Sequence, residues 1–320
     1  MNLQGLGKVE VPDEYLDIAF RRAKKATARQ RALVKGDKLK KSRAMELVRL
    51  AAAKDNLIAL LERIINSFPQ FDELDPFYQE LVKATLDYVH LKKSLGAVTW
   101  AIRKVRFFYR HYHAKIRNAD LVWINIHRRA FFGRVSSVVK QIKKELAYLE
   151  EVRKILKDFP QIKTKLPTVV IAGSPNVGKT TLLAALTGST PQIASYPFTT
   201  KKIMIGYTTI NKRKMQFLDT PGLLDREMTK RNKIELKSIL ALKYLAKVIF
   251  FVYDPSERCG YPMKQQKKLL LQIKKMFKLP IILVVNKADL EHEPVKGALE
   301  IVAKENKGIQ DVRKSLAEQI

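Results

Sequence analysis

The sequence predicts an N-terminal all-α antiparallel helical bundle followed by an α/β doubly wound domain. Three observations carry this. Apolar residues recur at helical spacing through residues 11–158. Beyond Pro160 and Pro167 the pattern changes to short β-branched runs separated by helix-length segments. Three glycine- or aspartate-containing motifs then fall at the ends of those runs, where doubly wound sheets bind ligands. The predicted domains are residues 1–165, helical, and residues 166–320.

In the first half, Leu47, Leu50, Leu57, Leu61, Ile64 and Ile65 form one stripe. Val139, Ile142, Leu146, Leu149, Val152 and Leu156 form another. Pro69, Pro76 and Gly96 mark turns, giving four or five long helices, one of them bent at Gly133. Short connections favour antiparallel packing. In the second half, 168–172, 202–209, 214–218, 248–253, 281–285 and 299–302 read as strands. A helix over 178–187 follows the first strand, and 308–319 closes the domain.

Gly173, Ser174, Pro175, Asn176, Val177, Gly178, Lys179 and Thr180 fit the phosphate-loop pattern, with Thr181 next to them. Their backbone N–H groups would wrap a β-phosphate, Lys179 would bridge β- and γ-oxygens, and Thr180 would reach Mg²⁺. Asp219, Thr220, Pro221 and Gly222 form the second motif. Asp219 would hold the metal through water, and the Gly222 N–H would meet the γ-phosphate. Asn286, Lys287, Ala288 and Asp289 form the third. A carboxylate at Asp289 accepts from both N1–H and the amine of guanine, which adenine does not match. The second half is therefore predicted to be a P-loop GTPase domain that binds GTP or GDP. Thr200 is assigned as a further Mg²⁺ hydroxyl, with Thr199 competing. Ala303 and Lys304 are placed over the base. Leu223 stands where a water-positioning glutamine is often found. Hydrolysis is then slow until a partner completes the site or Asn176 holds a potassium ion beside the phosphates; the other reading is that Asn176 only caps the loop. The catalytic set is Lys179, Thr200, Gly222 and Asn176.

The chain carries 61 basic against 31 acidic residues, a net charge of +30, spread over both halves. Such a field favours a polyanion, nucleic acid before membrane. Residues 21–49 concentrate it in Arg21, Arg22, Lys24, Lys25, Arg29, Arg31 and further cations, opposed only by Asp37 and Glu46. Arg103, Lys104, Arg106 and Arg110 interleave with aromatics, of which Phe108 and Tyr112 lie on the core stripe with Ala101 and Val105. A single cysteine, Cys259, excludes an internal disulfide and fits a reducing interior. With no secretory h-region and no apolar run of 18 residues, the expectation is a soluble, cytoplasmic protein, monomeric when free, with no membrane partner.

Several phrases resemble the Nog family of nucleolar-type GTP-binding proteins, in the Obg–HflX branch of translation-factor-like GTPases. The G-domain motifs resemble that superfamily broadly. Asp254, Pro255, Ser256, Glu257, Arg258, Cys259, Gly260 and Tyr261 are closer to the Nog group. In the helical half, residues 75–78, 129–134 and 146–153 resemble its N-terminal domain. The resemblance implies GTP-dependent assembly of the large ribosomal subunit, with the helical domain among ribosomal RNA helices. Its partners would be ribosomal RNA and large-subunit precursor particles, with ribosomal proteins or assembly factors. The location would be nucleolar in a eukaryote. The long C-terminal extension of eukaryotic members is absent, which suggests an archaeal or minimal form. The short stretch between Asp289 and Ala303 leaves little room for the usual helix there. The alternatives are an Obg- or HflX-like regulator of mature ribosomes, and an RNA-binding scaffold with structural nucleotide.

Overall fold

The computed structural model describes residues 3–31, 33–188, 190–197, 202–227, 231 and 233–319. It divides into two compact units, and the chain enters the second more than once. One unit comprises Leu3–Pro69 and Leu86–Lys157; the other comprises Gln70–Thr85 and Asp158 onward. Residues 70–85 and 158–165, which the sequence division groups with the helices, thus pack with the α/β unit.

Among the described residues the helical unit holds five long helices: α1 (Pro12–Arg31), α2 (Lys38–Ser67), α4 (Tyr88–Asn118), α5 (Leu121–Gln141) and α6 (Lys143–Lys157). Their starts are written locally. Pro12 occupies the first position of α1, where a missing N–H costs nothing. Asp37, Asp87 and Asp120 cap α2, α4 and α5, each accepting from backbone N–H groups of the first turn. The predicted stripes are the core: Leu50, Leu57, Leu61, Leu149, Val152 and Leu156 are fully buried, while Leu47 and Ile65 lie half out. Tyr112 packs edge-on against the buried Phe131. α5 continues through Gly133, and the chain leaves helical geometry at Ile142, between α5 and α6.

In the α/β unit, β1 (Thr168–Ala172), β2 (Gln192–Ala194), β3 (Ile203–Ile210), β4 (Arg213–Asp219), β5 (Ala246–Tyr253), β6 (Ile281–Asn286) and β7 (Ala298–Ile301) make one sheet. The order is β2-β3-β4-β1-β5-β6-β7. β1 runs parallel to β4 and β5, and the β5–β6–β7 pairs are parallel. The β2–β3–β4 edge is antiparallel, so the sheet is mixed. β2 was not expected, because its three residues sit in a polar stretch with an exposed Ile193. α7 (Lys179–Thr187) and α10 (Ile309–Gln319) share a core with the sheet through Leu182, Leu183, Leu186, Val312 and Leu316. α9 (Met263–Phe277) packs on β5, and α8 (Lys233–Ala241) packs on α3 (Pro76–Thr85). Central strands β1 and β5 are buried almost throughout, so their carboxyl ends are rigid supports for the loops that follow. Among the described residues no helix is long and apolar enough to cross a membrane.

Candidate functional site

The loop from β1 to α7 is built around two glycines that no other residue could replace without movement. Gly173 has φ 141°, and a Cβ there would strike the Val252 carbonyl oxygen. Gly178 has φ 95°, and a Cβ there would strike the Asn286 amide. Asn176 also adopts positive φ (61°) and is exposed at the loop tip. Lys179 is buried, and its Nζ donates to the carbonyl oxygens of Gly173 (3.0 Å) and Ser174 (2.8 Å). Its charge is therefore held inside the loop that would wrap a phosphate. A cavity of about 410 Å³ opens here, lined by Pro175, Asn176, Gly178, Lys179, Thr180, Thr181, Asp219, Pro221 and Asp225.

Asp219 ends β4 at 0 % exposure. Thr180 Oγ1 donates to its Oδ2 at 2.5 Å, while its Oδ1 is buried without a hydrogen-bond partner. Burial raises its pKa, against the opposing pull of the Thr180 hydrogen bond and the Lys179 charge. A buried carboxylate with an unsatisfied oxygen beside a hydroxyl suits a hard divalent cation. Among the described residues no group of three or more His, Cys, Asp or Glu could hold a metal by itself.

The third motif is tied to the first through one side chain. Asn286, buried at the end of β6, donates from Nδ2 to the Val177 carbonyl (2.9 Å). Its Oδ1 accepts from the Ala303 N–H (3.0 Å). One amide therefore fixes the phosphate loop, the end of β6 and the turn after β7. Lys287, at φ 63°, donates to the fully buried Asp254. Asp254 also accepts from Ser256 Oγ (2.6 Å) and the Cys259 N–H (2.9 Å). Burial alone would raise the Asp254 pKa; the bonds from Lys287 and Ser256 outweigh it and hold it below the usual carboxylate range. The Ala288 N–H donates to the Ile301 carbonyl oxygen, which seats the loop carrying the exposed Asp289. Ala303 is buried and Lys304 exposed; both line a second hollow of about 510 Å³ that shares Thr181 with the first. Between Asp289 and β7 no helix forms.

The second motif is held in a way the sequence did not reveal. The Gly222 N–H donates to Asp225 Oδ2 at 2.7 Å. Arg231, itself buried, donates to the carbonyl oxygens of Gly222 (2.5 Å) and Leu223 (2.7 Å) and reaches Asp225 Oδ1 at 3.4 Å. Thr220 donates back to the Ile171 carbonyl oxygen (3.2 Å). Leu223 and Leu224 are both buried, so neither side chain points a group at the cavity, and Leu223 is packing here. Thr199 and Thr200 lie outside the described residues. Asp225, Arg231 and Asp254 hold these loops in place, a role that sequence reasoning assigned to none of them.

A family profile described as the NOG1 N-terminal helical domain matches residues 4–163, and one described as a 50S ribosome-binding GTPase matches residues 168–287. An uncharacterised protein of Methanocaldococcus jannaschii is 44% identical over 286 residues, covering 88% of this chain and 79% of that one. Nucleolar GTP-binding protein 1 of Drosophila melanogaster is 32% identical, over 91% of this chain and 45% of its own length. The chain thus spans less than half the length of that relative. A solved structure of putative nucleolar GTP-binding protein 1 from Plasmodium falciparum aligns over 50% of this chain and 89% of that one, at 29% identity and a TM-score of 0.44.

Proposed function

This chain belongs to the Nog family of GTP-binding proteins, and from that premise we propose a GTP-hydrolysing switch that binds ribosomal RNA during assembly of the large ribosomal subunit. The observation that carries the nucleotide part is the Asn286 amide, which joins the phosphate loop to the loops that would read the base. In this reading residues 173–181 wrap the phosphates, Lys179 leaves the loop carbonyls for the β- and γ-oxygens, and Asp289 reads guanine. Thr180 and Asp219, with Thr200, would hold Mg²⁺, which when bound neutralises charge developing on the transferred phosphoryl group. Asn176, exposed at the loop tip, would favour a potassium ion there.

The RNA part is supported by charge. Lys24, Lys25, Arg29 and Arg31 are exposed along α1, and Lys35, Lys38, Lys40 and Lys41 are exposed on the turn and start of α2. RNA helices are bound chiefly through backbone and shape, which suits such a face. The site would act in the cytoplasm, or in the nucleolus of a eukaryote, on precursor particles.

One experiment tests both parts. GTP turnover is measured in potassium and sodium chloride, with and without ribosomal RNA, and RNA affinity is followed against salt. Replacing Lys24, Lys25, Arg29 and Arg31 with alanine should reduce the slope of log K against log salt by about 3, from roughly 0.7–0.9 per phosphate contact. An unchanged slope removes the RNA face, no turnover removes the GTPase reading, and equal rates in both salts remove the potassium ion.

A further inference from the structure

We propose that Asp225 sets the preference between GDP and GTP, by occupying the Gly222 N–H that the γ-phosphate would otherwise take. The inference rests on the reading of the 173–181 loop as a guanine-nucleotide site. Four observations lead to it.

The Gly222 N–H is not free to greet a ligand: it donates to Asp225 Oδ2 at 2.7 Å. The Asp225 carboxylate is not on a remote surface either, since it lines the same cavity as Lys179, Thr180 and Asp219. It is buried, so its charge is not dissipated by water. Finally, Arg231 holds the peptide from the other side, donating to the carbonyl oxygens of Gly222 and Leu223 while pairing with the second Asp225 oxygen. Carboxylate and guanidinium together grip residues 222–223 by the Gly222 N–H and both C=O groups.

A γ-phosphate and a carboxylate want the same donor, and both are anions. For a terminal phosphate to take the Gly222 N–H, the carboxylate that now accepts from it has to withdraw. Asp225 can, because it sits in a turn beyond the strand end, whereas Asp219 is the last residue of β4. GDP ends at the β-phosphate and makes no such demand. The contact therefore acts on one nucleotide and not the other, which is what specificity requires. By linkage, any partner that draws Asp225 or Arg231 away would raise GTP affinity by the same factor that GTP raises its own.

The test compares binding of a fluorescent GDP and a fluorescent non-hydrolysable GTP analogue to the full chain and to Asp225→Asn, Asp225→Ala and Arg231→Met. Wild type should favour GDP. Asp225→Ala should tighten the GTP analogue by about tenfold or more, the scale of a hydrogen bond to a charged group, and leave GDP within about twofold. Asp225→Asn, which keeps the shape and an acceptor for Arg231, should move the ratio the same way but less. Arg231→Met, which loosens the grip while leaving the carboxylate, should also move it toward GTP. Melting in GDP checks that each variant is folded, and Asp225→Asn remains the decisive comparison if the alanine variant is not. Equal loss for both nucleotides, or an unchanged ratio, overturns the proposal. So does a ratio change that vanishes without Mg²⁺, since Asp225 would then serve the metal. Failure of the wild type to bind either nucleotide is a different result, and sinks the guanine-nucleotide reading itself.

Discussion

Asn286→Ala is the substitution that most directly probes how the nucleotide site is held. The amide makes two buried hydrogen bonds, at 2.9 Å to the Val177 carbonyl and 3.0 Å from the Ala303 N–H, and is itself 5 % exposed. Removing it leaves one backbone acceptor and one backbone donor without partners. Each orphaned buried group costs about 1–3 kcal/mol, so the expected loss is about 2–6 kcal/mol, the lower end applying where water enters the hole. Denaturant unfolding followed by circular dichroism would measure it as a lower midpoint at unchanged slope. GDP and a GTP analogue should weaken together, because the amide supports the loop and touches neither terminal phosphate. A loss below about 1 kcal/mol with intact GDP affinity would refute the argument that this bridge organises the site.

Two other outcomes follow from the same geometry. Asp289→Asn replaces an acceptor by a group with its own donors, so GDP affinity should fall by about tenfold to a hundredfold while a nucleotide of xanthine, which carries a C2 carbonyl, gains; competition binding reads both. Asp254→Asn should flatten the acid limb of the stability curve. The folded carboxyl titrates below its ordinary value, near 4. Its contribution is therefore complete above that value and is lost as pH falls through the lower folded one. Thermal melts from pH 7 downward should show wild type losing this increment in acid and the variant lacking it throughout; identical acid limbs would argue that the Lys287 pair is inert.

How much was legible in the sequence depends on whether a feature is local. The strand-end motifs depend on neighbours a few residues away, so pattern alone exposes them. The stop at Ile142 does not: the apolar spacing runs on through Val139 and Leu146, and only packing decides where the helix breaks. β2 escaped because its pairing with β3 comes from the partner strand's register, not from its own alternation. The Asp225–Arg231 grip was invisible for another reason. Arg231 looks like any of 61 cations until burial singles it out, and burial is a property of the folded chain. Likewise the two backbone partners of Asn286 lie 109 and 17 residues away, beyond the reach of a local pattern.

The excursion of residues 70–85 into the α/β unit carries a consequence for biosynthesis. Phe77, Tyr78, Leu81 and Val82 of α3 are buried in the finished protein, and α3 packs on α8. Yet α8 leaves the ribosome on the order of 150 residues later, a delay of roughly 7–30 s at ordinary elongation rates. During that interval the rest of the helical unit, residues 86–157, is synthesised while the apolar face of α3 lacks its final partner. The nascent chain must shield it, through transient packing on its own helices or by a chaperone, and slower translation through residues 86–232 would lengthen the exposure. Polar substitutions on α3 would then relieve aggregation in the nascent chain while weakening the mature fold, so yield and stability would move in opposite directions.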